Sequence, residues 1–163
     1  GCLGFLAQLQ QPQAEVVLAD LDADALDVAR INLARYNMSD VVEICQGDGL
    51  AAVRGQFDWI ICNPPYVEAA EMDDIAAEYR HEPRQALVSG EDGLDFTRRL
   101  LHEAPDYLTE RGLLVLEVGM SWPQLEDAYP DAGFDWVEFE RGGEGVCIIS
   151  ADELLAWREA GVV

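Results

Sequence analysis

The stretch FDWIICNPPYVE, residues 57–68, joins two different kinds of sequence. Its first half, FDWIIC, is short and apolar, which is typical of a buried strand in a parallel sheet. NPPY (63–66) follows at once, and one proline is enough to end a strand because proline has no N–H for the ladder. The end of a strand therefore explains one proline, but it does not explain why Asn63, Pro64, Pro65 and Tyr66 occur together.

The residues of NPPY are suited to holding a planar amino group. Pro64 and Pro65 fix their own φ angles and lack N–H donors, and Pro64 keeps Asn63 out of helical space. The loop is thus rigid and presents carbonyl acceptors, to which Asn63 adds a side-chain oxygen and Tyr66 a flat face. Two acceptors can hold both hydrogens of an –NH₂ group and aim its lone pair at an electrophile. The alternative is a strand-ending turn with a packed tyrosine.

Helical and extended patterns alternate along the chain until two strands follow each other near its end. Predicted helices cover 1–10, 22–37, 93–108, 121–130 and 151–160, and predicted strands cover 14–20, 41–45, 57–62, 111–119, 134–140 and 145–150. Residues 67–92 are predicted to be irregular, with a helical turn at 72–79. This order predicts an α/β fold with a mainly parallel sheet and a final antiparallel hairpin.

Two expectations concern the core. The helix at 22–37 should begin at Asp22 or Asp24 and bury an apolar stripe, made of Ala25, Leu26, Ala29 and Leu33. The cysteines form no C-x-x-C pair, and no histidine is spaced to complete a zinc site, so we expect no metal. We interpret them as small reduced core residues, at positions Cys2, Cys45, Cys62 and Cys147.

Ligands of open α/β sheets bind beyond the carboxyl ends of the strands, so the residues there are the candidates for binding. Asp20 ends the first predicted strand, where an acid accepts hydrogen bonds from ribose hydroxyls if a glycine turn lies at or just before Gly1. Asp48 follows the next strand and could accept from an adenine amino group. Either residue could instead be a turn aspartate, and Asp20 could cap a helix. Because both follow the end of a predicted strand, we favour a role in ligand binding.

The charge of the chain narrows the class of partner. Its 163 residues suit one domain, and 32 acidic against 10 basic residues, all arginine, give a formal net charge of −22. Such a surface disfavours nucleic acid and favours a small molecule or a basic protein, although acidity also serves solubility. We find no signal peptide and no apolar run long enough to cross a membrane, which indicates a cytoplasmic protein without a membrane partner.

NPPY after an apolar strand resembles the class I S-adenosylmethionine-dependent methyltransferases that modify planar amino groups. The wider stretch 63–101, with GLLVLEVG and the tail FDWVEFERGGEGV, resembles the protein-(glutamine-N(5)) methyltransferases over nearly the whole chain. EYRHEP (78–83) with SGEDGL (89–94) is similar to the branch that methylates large ribosomal subunit protein 3. The branch that acts on peptide-chain release factors shares less of EYRHEP.

The resemblance implies a Rossmann-like class I methyltransferase sheet and methyl transfer to a glutamine amide. S-adenosylmethionine would be the cofactor, S-adenosylhomocysteine its product, and a basic protein, large ribosomal subunit protein 3, the substrate. The catalytic residues it implies are Asn63, Pro64, Pro65 and Tyr66, with the amide held by Asn63 and the Pro64 carbonyl. The cofactor-binding residues it implies are Gly1, Cys2, Asp20, Leu21, Asp48, Gly49 and Asn63. Glu82 and Pro83 match a family motif to which we assign no role.

The chain departs from the family in its cofactor loop, D-x-x-x-G-S-G-C, of which Gly1 and Cys2 are the closing part. We therefore expect residues 1–163 to be an N-terminally truncated methyltransferase catalytic domain, without the first strand and the helical N-terminal domain. Two sheet edges would then be open. Three alternatives remain: glutamine methylation of release factors, methylation of nucleic-acid amino groups, and a catalytically silent fragment.

Overall fold

The computed structural model of the chain describes residues 1–67 and 86–163. They divide into two compact units, Gly1–Gly55 and Gln56–Val163. The predicted helical turn at 72–79 and the family motif at Glu82 and Pro83 lie outside the described residues. No helix in the described ranges has both the length and the apolar character needed to cross a membrane.

The first unit is a parallel pair of strands with helices beside it. Its elements are α1 (Cys2–Gln10), β1 (Val16–Asp20), α2 (Ala23–Arg35) and β2 (Val42–Gln46), followed by a 3₁₀ turn at Gly49–Ala52. Parallel strands need a crossover connection, which α2 supplies. The register runs from Val16 opposite Val42 to Asp20 opposite Gln46, so both strands end at one edge.

Helix α2 begins where the sequence predicted. The Asp22 carboxylate accepts a hydrogen bond from the Asp24 N–H at 2.8 Å, which identifies Asp22 as the cap. Leu26, Ala29 and Leu33 are buried as predicted, but the prediction for Ala25 is wrong, since it lies on the exposed side. The buried core of this unit consists of Leu18, Ala29, Leu33, Met38 and Val42.

The second unit is a four-stranded mixed sheet covered by helices. Its elements are β3 (Phe57–Cys62), α3 (Asp95–Tyr107), β4 (Leu108–Glu117), α4 (Trp122–Ala128), β5 (Asp135–Trp136), β6 (Val146–Ser150) and α5 (Ala151–Ala160). The strand order is β3-β4-β6-β5, with β3 and β4 parallel and the other pairs antiparallel. The parallel pairs and the closing antiparallel hairpin confirm the predicted α/β class.

Two strand predictions are wrong in detail. The predicted strand at 134–140 shrinks to β5, because the pairing with β6 covers Asp135 and Trp136. Phe134 and Trp136 lie in an aromatic cluster with Trp122 and Trp157, in which neighbouring ring centroids are 5.3–5.9 Å apart. FDWIIC has the predicted bounds but is not a buried strand. β3 is an edge strand of its sheet, and Trp59 is 60% exposed.

The cysteine prediction is right in part. All four are free thiols, and Cys147 is buried in the sheet, but Cys2 is exposed in the first turn of α1. Cys45 and Cys62 are half-buried. The core interpretation therefore holds for Cys147 and is wrong for Cys2.

Helix α5 starts with a reciprocal capping box. The Ser150 hydroxyl accepts a hydrogen bond from the Glu153 N–H at 3.2 Å, and the Glu153 carboxylate accepts one from the Ser150 N–H at 2.9 Å. Both bonds satisfy N–H groups that have no partner inside the helix. They fix the point at which the last strand turns into the last helix.

We expect Ser150→Ala to lower the free energy of unfolding by about 1 kcal/mol, because the cap is lost while Glu153 stays. Urea titration followed by circular dichroism measures it. The control is Ser39→Ala, since Ser39 is exposed in a turn. Equal stability of Ser150→Ala and the control would contradict the capping role.

Candidate functional site

The NPPY loop begins where two parallel strands of the second unit end together. Cys62, the last residue of β3, lies opposite Leu116 of β4. Asn63 follows at this edge and is exposed, whereas Pro64 is buried. The Asn63 amide forms no hydrogen bond with any residue in 1–67 or 86–163. An anchored proline thus stands beside an amide oxygen that is open to a ligand.

Tyr66 is held from the turn that follows β4. The Ser121 hydroxyl donates a hydrogen bond to the Tyr66 carbonyl at 2.9 Å. Ser121 directly precedes α4, but its side chain does not cap that helix. Gly119 adopts a φ of 51°, and a Cβ there would lie 3.0 Å from Cζ and Oη of Tyr66. The ring therefore lies against the bare backbone of Gly119.

The chain returns to this loop at residues 86–95. The Val67 N–H donates to the Leu87 carbonyl at 2.8 Å, and the Ser89 N–H donates to the Val67 carbonyl at 3.2 Å. These bonds form a short parallel bridge between Val67 and Val88. The far end of the NPPY loop is thereby tied to the segment that leads into α3.

An ion pair lies in the same segment. Arg98 donates to both carboxylate oxygens of Asp92, at 2.9 and 2.5 Å, and lies 3.5 Å from the Asp95 carboxylate. The hydrogen bond from Arg98 lowers the pKa of Asp92 from 3.8 to about 2, against a smaller effect of desolvation. Asp92 in turn raises the pKa of Arg98, while burial raises that of Tyr129, which also faces Arg98.

The acids predicted for cofactor binding lie in the first unit. Asp20 ends β1 and is half-buried, and one of its carboxylate oxygens accepts from the Asp22 N–H at 2.9 Å. Asp22 caps α2, so the alternative prediction, in which Asp20 caps this helix, is wrong. The other oxygen of Asp20 has no hydrogen-bond donor within the described ranges. A half-buried carboxylate with one oxygen open suits the hydroxyls of a ribose.

Asp48 lies at the same edge as Asp20. The Gly47 N–H donates to the Asp20 carbonyl at 3.0 Å, which brings the segments after β1 and β2 together. Asp48 is exposed and precedes the 3₁₀ turn that starts at Gly49, whose φ is 55°. The remaining predicted cofactor residues, Gly1, Cys2 and Leu21, are exposed at the start of α1 and after β1.

Two of the four thiols, those of Cys62 and Cys147, are poor nucleophiles. Burial raises the pKa of both Cys62 and Cys147 to about 12, so each stays protonated at neutral pH. Within 1–67 and 86–163, no group of three or more histidine, cysteine or acidic side chains could hold a metal ion.

Sequence reasoning missed the residues that hold the loop, Gly119 and Ser121. The one signal for them in the sequence was the glycine that ends the predicted strand at 111–119. Ser121 lies 55 positions from Tyr66, so only the parallel pairing of β3 with β4 brings them together.

A family model for the methyltransferase small domain matches residues 1–93. The chain is similar to two curated proteins, each named ribosomal protein uL3 glutamine methyltransferase. That of Francisella tularensis is 40% identical over 161 residues, which cover 98% of this chain and 51% of the relative. That of Bordetella pertussis is 41% identical over 155 residues, or 94% of this chain and 52% of the relative. The chain thus spans about half the length of the curated relatives it matches.

A crystal structure of a methyltransferase from Pyrococcus furiosus has a similar fold. It aligns with a TM-score of 0.63 and 21% identity, and the alignment covers 90% of this chain and 67% of that one. At this identity the likeness shows the fold alone. It confirms the predicted Rossmann-like class I methyltransferase architecture.

We expect Gly119→Ala to move the Tyr66 ring, because its new Cβ would lie 3.0 Å from Cζ and Oη of Tyr66. The positive φ should cost about 1–2 kcal/mol of stability in addition. Gly142→Ala is the matched control, since Gly142 has a φ of 60° and open space around it. NMR of labelled tyrosine rings should show a shift for Tyr66 only in Gly119→Ala. Equal spectra for both variants would contradict the contact.

The Asp92 pair predicts a pH-dependent contribution to stability. The folded-state pKa of Asp92 is depressed, so its charge stabilises the fold above about pH 4 and stops doing so as the pH falls toward 2. We expect Asp92→Asn to lower the free energy of unfolding by less than about 1 kcal/mol at neutral pH, because solvent screens an ion pair this exposed.

Urea titrations of wild type and Asp92→Asn at several pH values measure this difference. It should shrink between about pH 4 and pH 2. Asp131→Asn is the control, because Asp131 is exposed and forms no ion pair with the described residues. A difference that persists at the lowest pH, where Asp92 is protonated, would contradict a contribution from the ion pair.

Proposed function

Because the chain belongs to the methyltransferase small domain family, we propose that residues 1–163 form a catalytic domain that methylates a glutamine side-chain amide. The proposed substrate is ribosomal protein uL3, and the proposed methyl donor is S-adenosylmethionine. The observation that carries the proposal is the NPPY loop at the end of β3, with Asn63 exposed and Pro64 buried. The relatives at 40 and 41% identity support the substrate.

The proposed mechanism is catalysis by positioning. S-adenosylmethionine, held by the residues described below, would supply the electrophilic methyl group and leave as S-adenosylhomocysteine. The amide nitrogen would form the new bond to carbon and give up one of its N–H protons to solvent water. The Asn63 side-chain oxygen and the Pro64 carbonyl would accept the two amide hydrogens, and Tyr66 would pack on the planar amide. Neither acceptor is a strong base, so the protein contributes orientation and dipoles rather than proton abstraction.

The proposed cofactor residues lie at the carboxyl ends of β1 and β2. The open oxygen of Asp20 would accept from the ribose hydroxyls, with Leu21 beside it. Asp48 would accept from the adenine amino group, next to the backbone of Gly49. Gly1 and Cys2 would lie near the rest of the cofactor.

A basic protein substrate fits the charges around the NPPY loop. Exposed acids, Glu138, Glu140 and Glu144, lie in the connection between β5 and β6. This connection ends at Gly145, whose carbonyl accepts from the Val118 N–H at 2.7 Å, beside the turn that holds Tyr66. With a net charge of −22, the chain would attract the basic segments of a ribosomal protein, and the encounter would take place in the cytoplasm.

The test is methyl transfer to ribosomal proteins from undermethylated cells. We expect the complete protein to place a single methyl on one glutamine of uL3, detected by mass spectrometry. Asn63→Ala should lower kcat/KM by about 100-fold or more, in line with the loss of one positioned dipole, while S-adenosylhomocysteine still binds. Asp58→Ala, on the same strand and exposed, should keep full activity.

The results of this assay distinguish the proposed function from its alternatives. Cofactor binding without any methyl on glutamine would refute the proposed substrate. Methyl incorporation into RNA or DNA would favour a nucleic-acid amino group instead. Full activity of Asn63→Ala would remove the NPPY loop from the mechanism.

A further inference from the structure

Residues 89–98, here called the bracket segment, hold SGEDGL and Arg98 and have no part in the mechanism above. The segment begins at Ser89, which is 6% exposed and whose N–H donates to the Val67 carbonyl. The Ser89 hydroxyl accepts from the Phe96 N–H at 2.8 Å, and its carbonyl accepts from the Asp95 N–H at 3.3 Å. One buried serine thus ties the end of the NPPY loop to the start of α3.

Gly93 brings the bracket segment against the NPPY loop. Its φ is 75°, and a Cβ there would overlap the carbonyl of Tyr66. Gly90, with a φ of 81°, has the same kind of contact with the Asp95 carboxylate. Both positions require glycine, because the backbone is left-handed and a neighbouring group fills the place of a side chain. Gly93 therefore packs its backbone directly onto Tyr66.

The residues on either side of Gly93 are fixed. Asp92 accepts from the Leu94 N–H at 3.1 Å and holds both terminal nitrogens of Arg98. Leu94 is 1% exposed, so its side chain is anchored in the core. The carboxylate of Asp92 thus closes a turn around Gly93, and the guanidinium of Arg98 holds that turn to α3.

We propose that the Arg98–Asp92 pair positions the NPPY loop by pressing Gly93 against the Tyr66 carbonyl. The Ser121 hydroxyl holds the same carbonyl from the other strand end, so Tyr66 is fixed by two segments. Asn63 and Pro64 lie three and two residues before it, in a loop stiffened by two prolines. Arg98 is therefore a positioning residue, which acts through Gly93 and Tyr66; its catalytic meaning rests on the proposed function.

Two observations favour positioning over a purely stabilising role. The side chains of Arg98 and Asp92 are 40% and 46% exposed, and ion pairs as exposed as this contribute little to stability. The same unit holds a second bidentate pair, in which Arg158 of α5 binds Asp106 of α3 at 3.0 Å through both nitrogens. That pair joins two helices and does not contact the NPPY loop, so it provides a matched comparison.

The test compares the complete protein with the variants Arg98→Ala, Arg98→Lys and Asp92→Asn, and with Arg158→Ala as control. We expect Arg98→Ala to lower kcat for glutamine methylation by about 10- to 100-fold, because small misplacements of a positioned group are costly. The affinity for S-adenosylhomocysteine should change less than twofold. Arg98→Lys should recover only part of kcat, since an ammonium cannot bind a carboxylate as a fork. Arg158→Ala should keep wild-type kcat.

Hydrogen exchange of the Val67 and Ser89 amides is a second readout that needs no activity. Both amides bridge the NPPY loop to the bracket segment, so Arg98→Ala and Asp92→Asn should speed their exchange while Arg158→Ala does not. Unchanged exchange with a kcat within about twofold of wild type would overturn the proposal. If the wild type transfers no methyl to glutamine, the proposed function fails, and exchange alone then decides the positioning role. If Arg98→Ala does not fold, Asp92→Asn gives the decisive comparison.

Discussion

Close packing of backbone around Tyr66 is the constraint on which the candidate site depends. Gly119 lies under the ring, Gly93 lies against the carbonyl, and Gly145 packs on the carbonyl of Gly119. All three have positive φ, and none has room for a Cβ. These backbone contacts leave no space between Tyr66 and its neighbours, so the side-chain bonds from Ser121 and from the Arg98–Asp92 pair hold a loop that is already closely packed.

The elements that the sequence predicted well are those whose signals are local. The bounds of β3 and α5 agree with the structure because a proline ends the strand and a serine–glutamate box starts the helix. The predicted strand at 134–140 was too long, since the pairing with β6 covers Asp135 and Trp136. Alternation in the sequence indicates which side chains share a face, as Phe134 and Trp136 do, but not how far a partner strand runs beside them.

In the candidate site, too, the sequence could identify only the residues whose signal is local. Asn63 and Pro64 could be identified from the sequence, since they are adjacent to each other and directly follow an apolar strand pattern. Ser121 and Gly93 could not, because their contacts with Tyr66 arise only when β4 and the segment before α3 come to the same edge. SGEDGL was singled out by resemblance alone, and its hydrogen bonds and glycine contacts supply a physical reason for the motif.

The scarcity of positive charge explains why the positions of the arginines matter. Ten arginines face 32 acids, so most carboxylates have no cation to bind and the surface stays strongly acidic. Arg98 is nevertheless bound by both nitrogens to one carboxylate beside the NPPY loop. A bidentate fork fixes direction as well as distance, which a single point charge cannot do. Arg98 therefore fixes the geometry of the turn around Gly93 while the chain as a whole stays strongly acidic.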